Sequence, residues 1–153
     1  MPAPTRTDPG LSRREEMAVS SDAMSSAPWA AAGLTGAVVT AGDLGLHLIG
    51  GSIFSLHALS GSLSLGLVAF LVVAAAGAAL SKRSGRTARW VRNNPWRFAV
   101  LPGVACAAIV FVLSVVLGGG VFGGIFSALW HGAATYGLTG LAGSIGSTRN
   151  RRD

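Results

Sequence analysis

Two stretches of this chain carry no charged side chain: LSLGLVAFLVVAAAGAAL, Leu63 to Leu80, and FAVLPGVACAAIVFVLSVVL, Phe98 to Leu117. At about 1.5 Å of rise per residue, each is long enough to cross a hydrocarbon slab of about 30 Å as a helix. No water is present there to bond an exposed amide, so a spanning segment must pair its own backbone groups, as a helix does. Two more polar runs flank this pair: WAAAGLTGAVVTAGDLGLHLIG from Trp29 to Gly50, and VFGGIFSALWHGAATYGLTGLAGSIG from Val121 to Gly146. The expected fold is an all-α integral membrane protein, a four-transmembrane-helix bundle with helices at about 29-50, 53-80, 98-117 and 121-146. Gly50-Gly51 and Gly118-Gly119-Gly120 serve as tight turns between them. Composition agrees, with 50% apolar residues, 12% charged and 22 Gly in 153 residues, a poor recipe for a soluble core.

Charge orients the bundle. The 12 basic residues fall in three segments: Arg6, Arg13 and Arg14; Lys82, Arg83, Arg86, Arg89, Arg92 and Arg97; and Arg149, Arg151 and Arg152. The Gly-rich turns carry none. A topology with both termini and the 81-97 loop in the cytoplasm, N-in/C-in, satisfies the positive-inside rule, with Trp29, Trp90 and Trp96 at the same interface. The excess of Arg over Lys, with abundant Ala and Gly, points to a GC-rich bacterial genome and hence to the plasma (inner) membrane. Residues 1-27 hold Pro, Ser and charge without an apolar stripe and read as a disordered cytoplasmic tail, in which Met1, Met17 or Met24 is the start. Arg13-Arg14 is followed by Glu15-Glu16 rather than a short apolar region, which argues against an export signal. Residues 148-153 form a second basic tail.

The chain echoes itself. Pro28-Trp29 returns as Pro95-Trp96, Gly36 as Gly103, and GGSIFS at Gly50 as GGIFS at Gly123. The membrane domain, 28-147, reads as two tandem helical hairpins, although short matches are cheap in a chain this rich in Gly and Ala. Small residues also recur at every fourth position: Gly33, Ala37, Ala41 and Gly45 in the first span, and Gly120, Gly124, Ala128 and Gly132 in the fourth. Such rows let helix backbones approach closely in lipid, within one bundle or between copies in a homo-oligomer or larger membrane complex.

Ionisable groups in a membrane are expensive and are candidates for function. Asp43 and His47 share a helix face one turn apart, and the fourth span carries Ser127, His131, Thr135 and Thr139 at successive fours. Those six residues are candidates for an ion or proton pathway; the plainer reading is hydroxyls bonded back to their own helix and polar groups holding the bundle together. His57 and His131 are candidates for a metal or haem ligand pair, though no ligand spacing supports them and no cofactor is expected. Cys106 lies alone in the third span and reads as an apolar filler. Lys82, Arg83, Arg86, Arg89, Arg92 and Arg97 are placed to meet anionic lipid headgroups; the loop is too short and too close to the bilayer to suggest nucleic acid. No phosphate loop, nucleophile elbow, paired carboxylates or Cys-x-x-Cys occurs, so no enzyme is expected. The function reads as a transporter or channel component or an accessory membrane subunit, with a membrane metal- or haem-binding protein as the alternative.

Overall fold

The computed structural model of the protein describes residues 12–51, 55–80 and 86–149, with Arg86, Ala88 and 146–149 as backbone alone. Among these residues the chain forms six helices and no strand: α1 (Arg13–Ser25), α2 (Trp29–Ile49), α3 (Leu56–Leu80), α4 (Arg86–Asn93), α5 (Pro95–Val116) and α6 (Gly120–Arg149). Three of them, α2, α3 and α5, are long and apolar enough to cross a membrane. The longest, α6, at 30 residues, is diluted by Gly, Ser, Thr and His131 and is not one of the three.

Residues 13–25, which composition alone assigns to a disordered tail, are helical. A capping box starts α1: the Glu15 amide donates to Ser12 Oγ at 3.4 Å and the Ser12 amide donates to Glu15 Oε2 at 2.8 Å. Glu15 and Glu16 sit in the first turn, where the helix dipole favours negative charge. The helix docks through small residues. Ala23 and Ala27 join Ala32 of α2, Ala74, Ala75 and Ala78 of α3, Val91 of α4 and Phe98 of α5 in one buried cluster, with Met24 and Trp90 packed around it. Alanines give a weak amphipathic signal, which is why the sequence does not announce this face. Residues 1–11 lie outside the described residues, as do the expected second-helix start at Ile53 and residues 81–85.

The 81-97 segment is likewise more ordered than a loop, because it holds α4. Asn94 Nδ2 donates to the Trp90 carbonyl at 3.2 Å, and Pro95 stands at the first turn of α5, where its missing N–H costs nothing. The third long helix therefore starts three residues before Phe98. Across this end Thr87 donates to Asp22 Oδ2 at 3.1 Å, and Arg97 pairs with Glu16. Because the Arg97 side chain is 63% exposed, that ion pair contributes at most about 1 kcal/mol. Glu16→Gln is expected to lower the unfolding midpoint in detergent by no more than about 4 °C, read by scanning calorimetry.

Helices α2 and α3 form one antiparallel hairpin and α5 and α6 the other, and α3 lies against both α5 and α6. Among the described residues α2 meets α3 alone. The four long helices thus do not close into a ring. The contacts inside the two hairpins correspond. The turn glycines Gly51 and Gly118, 67 residues apart, are left-handed, with φ 74° and 86°. Backbones touch at Gly36–Gly66 in the first hairpin and Gly103–Gly132 in the second. Trp29 stacks on Phe70 with ring centroids 5.8 Å apart, and Trp96 on Tyr136 at 5.5 Å. Pro28 covers Gly77 as Pro95 covers Gly143. Each first-helix residue recurs 67 positions later and each second-helix residue 66 later, so one register superimposes the two hairpins.

Candidate functional site

The close approach of Gly36 and Gly66 decides what lies above it. A Cβ on Gly66 would stand 2.7 Å from the Gly36 carbonyl oxygen and against the Thr40 side chain, so α2 and α3 run nearly in backbone contact. Thr40 is tied to its own helix, donating to the Gly36 carbonyl at 2.9 Å. One turn further along α2, Asp43 reaches across the seam, where Asp43 Oδ2 lies 2.5 Å from the Ser62 hydroxyl of α3. Ser62 is fully buried, and its hydroxyl has a second acceptor within reach, the Ala58 carbonyl at 3.0 Å. On the other side of Asp43, His47 Nδ1 is 2.9 Å from the Asp43 carbonyl oxygen and 3.4 Å from its Oδ2. The Asp43 and His47 side chains are 24% and 35% exposed, between the seam and its surroundings.

The result is a file of polar groups running from the open side of α2 into a buried helix seam: His47, hydrogen-bonded to the Asp43 carbonyl and 3.4 Å from its carboxylate, then the carboxylate, Ser62 and the Ala58 carbonyl. Asp43 and His47 were legible from their spacing. Ser62 was not, because a serine in an apolar helix is ordinarily bonded to its own backbone, and only the pairing of α2 with α3 gives it a carboxylate. The seam is unique to the first hairpin: the register that matches the hairpins puts Val110 at the Asp43 position and Ala128 at the Ser62 position. Both are buried and apolar.

On α6 the row Ser127, His131, Thr135, Thr139 does face the protein, with Thr135 and Thr139 fully buried. His131 Nδ1 lies 2.8 Å from the Ser127 carbonyl oxygen and 3.3 Å from the Ser127 hydroxyl. Bonding back to the helix, seen for Thr35, Thr40, Ser64 and Ser144, is absent at the two threonines. Among the described residues neither hydroxyl has a hydrogen-bond partner of ordinary geometry, and the Thr135 hydroxyl lies by the Cys106 thiol. Because α2 does not touch α6 among the described residues, Asp43 and His47 belong to a different seam from this row.

His57 lies exposed in the first turn of α3. Among the described residues no three His, Cys, Asp or Glu side chains gather as a metal site. The small-residue rows divide. Gly124, Ala128 and Gly132 are buried against α5, where Gly124 packs on Phe111 and Val115, and Gly132 on Ala107 and Gly103; Gly120 is exposed. Gly33, Ala37 and Ala41 are exposed, and neither Gly33 nor Gly45 has a neighbour within 4 Å of where a Cβ would stand. The packed face of α2 is Ala32, Gly36, Thr40 and Asp43, one residue round the helix from the expected row. The two rows have the same spacing, and the bulk of Phe70 and the position of Ser62 on α3 select between them.

Of the basic residues assigned to headgroups, Lys82 and Arg83 lie outside the described residues, and Arg86 is described as backbone only. Arg89 is exposed, Arg92 is half-buried, and Arg97 is engaged by Glu16. The helix α1 brings Glu16 and Asp22 onto a segment that has no acid of its own. No protein-family model, curated protein or solved structure matches this chain.

Proposed function

We propose that this is a bacterial plasma-membrane protein that crosses the bilayer four times, N-in and C-in, and acts as a transporter or channel component that takes up protons at Asp43 and His47, with Ser62 as the hydroxyl partner of the carboxylate. The topology is supported by the three apolar helices and by a sequence that keeps every Lys and Arg in the tails and the 81-97 segment; under the positive-inside rule the seam then belongs to the outer half of the bilayer. The correspondence of the two hairpins supports α6 as the fourth crossing, since its partner in register, α3, is one of the three.

One observation carries the functional reading: Asp43 Oδ2 stands 2.5 Å from a Ser62 hydroxyl that has a second acceptor, the Ala58 carbonyl, 3.0 Å away. A hydroxyl has one proton to give. Two arrangements therefore fit the same heavy atoms. In one, Asp43 is ionised and Ser62 donates to it; in the other, Asp43 is protonated and donates to Ser62, which donates to Ala58. The seam can gain or lose a proton without moving a helix, and His47 beside the carboxylate is the group that would pass it. An ionisable file in a spanning helix is what a proton relay requires.

The test is proton flux in liposomes driven by a potassium diffusion potential and read by a trapped pH dye. Asp43→Asn preserves the size and hydrogen-bonding capacity of the side chain but cannot exchange a proton, and is expected to reduce flux at least about tenfold. Thr139→Val, which removes a hydroxyl with no partner, is expected to leave flux unchanged; a loss there and not at Asp43 would move the route to α6. The second reading is an accessory subunit, favoured by the position of α2 at the edge of the helix array.

A further inference from the structure

The packing of one hairpin on the other is directional. If a two-fold axis related them, α3 lying on α5 would require α6 to lie on α2, and among the described residues α6 and α2 do not touch. The contact is therefore heterologous: one surface of the first hairpin's second helix sits on a different surface of the second hairpin. A contact of that kind leaves both of its surfaces unused, once each, at the two ends of the pair.

Both unused surfaces can be located by register. In the second hairpin the receiving surface includes Phe98, Cys106, Thr135 and Thr139, each 1% exposed or less. Their counterparts in the first hairpin are Ala31, Val39, Ala69 and Val73; Ala31 is exposed, Val39 and Ala69 are half-buried, and Val73 alone packs against the cluster around Phe98. The inserting surface of α3 includes Val68 and Leu71, which pack with Cys106 and Val110. Their counterparts on α6 are Ala134 and Gly137, both partly open, and a Cβ on Gly137 would meet nothing within 4 Å. Next along that surface, Ala75, fully buried, corresponds to Leu141, which is 52% exposed.

We infer that the chain assembles with further copies of itself, the α6 surface of one copy at Ala134, Gly137 and Leu141 seating on the α2/α3 surface of the next at Ala31, Val39 and Ala69. The occupant is a second copy because the chain already carries, in α3, the homologous partner for this surface and has used it once. Ala134 and Gly137 on one side and Ala31 and Ala69 on the other are small, which permits the close approach that holds helices together in lipid. The contact repeats in one direction and so builds a ring or a short open array rather than a face-to-face dimer. This does not depend on the proton reading of Asp43.

The experiment pairs two differently tagged chains, both Cys106→Ala, one carrying Val39→Cys and the other Gly137→Cys, co-expressed and oxidised in native membranes. Leu71 packs on Cys106, so their counterparts Gly137 and Val39 should lie within disulfide reach across the contact. The expected result is a cross-linked species bearing both tags from the mixed pair alone, and a ladder of higher species from a chain carrying both cysteines. Absence of the mixed product, or Val39→Cys linking to itself, overturns the inference. The unmodified protein in nanodiscs is counted by single-molecule photobleaching, independently of any variant. More than one copy is expected, and a single copy overturns the proposal.

Discussion

Gly66→Val and Gly132→Val are each expected to lower the unfolding midpoint of the protein in detergent by about 6–12 °C, read by fluorescence-detected thermal denaturation. At Gly66 the new Cβ lies 2.7 Å from the Gly36 carbonyl oxygen and against the Thr40 side chain. At Gly132 it lies 2.8 Å from Ala107 Cβ and 3.1 Å from the Gly103 carbonyl oxygen. A backbone carbonyl cannot rotate aside, so relief requires the two helices to separate and lose contacts along the whole seam. Overpacking costs about 1–3 kcal/mol, and the absence of a flexible neighbour places both variants at the upper end. Each kcal/mol shifts the midpoint of a chain this size by about 2–4 °C. Gly33→Val is the control, since nothing stands within 4 Å of its Cβ. Equal sensitivity at Gly33 would mean that α2 is packed on a face other than the one described.

Phe98→Ala is expected to cost about 3–5 kcal/mol and to free α1 before it affects the hairpins. Phe98 is 1% exposed and lies in the cluster where Ala23 and Ala27, Ala74, Ala75 and Ala78, and Val91 converge. The buried α1 residue of that cluster is the small Ala23, so the area α1 buries depends on the large side chains around it, of which Phe98 is the fully buried one. Its polar contacts Glu16–Arg97 and Asp22–Thr87 lie at the surface and are worth little. Limited trypsin digestion should therefore cut at Arg13 or Arg14 at least about tenfold faster in Phe98→Ala, while the α2/α3 and α5/α6 fragments stay protected. Unchanged cleavage would show that α1 is held by something other than this cluster.

The parts of the site differ in how they could be read. Asp43 and His47 are four apart, and helical spacing alone places them on one face. Ser62 is 19 residues from Asp43, with a Gly turn between, and its role depends on which face of α3 meets α2. The threonines of α6 share the spacing of the fourth-span row. That their hydroxyls are buried without being bonded back to the helix follows from packing against other helices and cannot be read along one.

Residue order by itself determined the helical character, the membrane-length apolar runs, the turn glycines and the recurrence of Pro-Trp and Gly. Each depends on a local property: backbone amides must be paired within the segment, Lys and Arg stay out of the long apolar runs, and left-handed backbone favours Gly. Only the tertiary structure decided that α1 is a docked helix, that α2 packs through Ala32, Gly36 and Thr40 instead of the row beside them, and that the long helices stay open at α2. Those outcomes depend on differences between near-equivalent faces of small residues. No single helix carries enough information to choose among them; the bulk of its neighbours does.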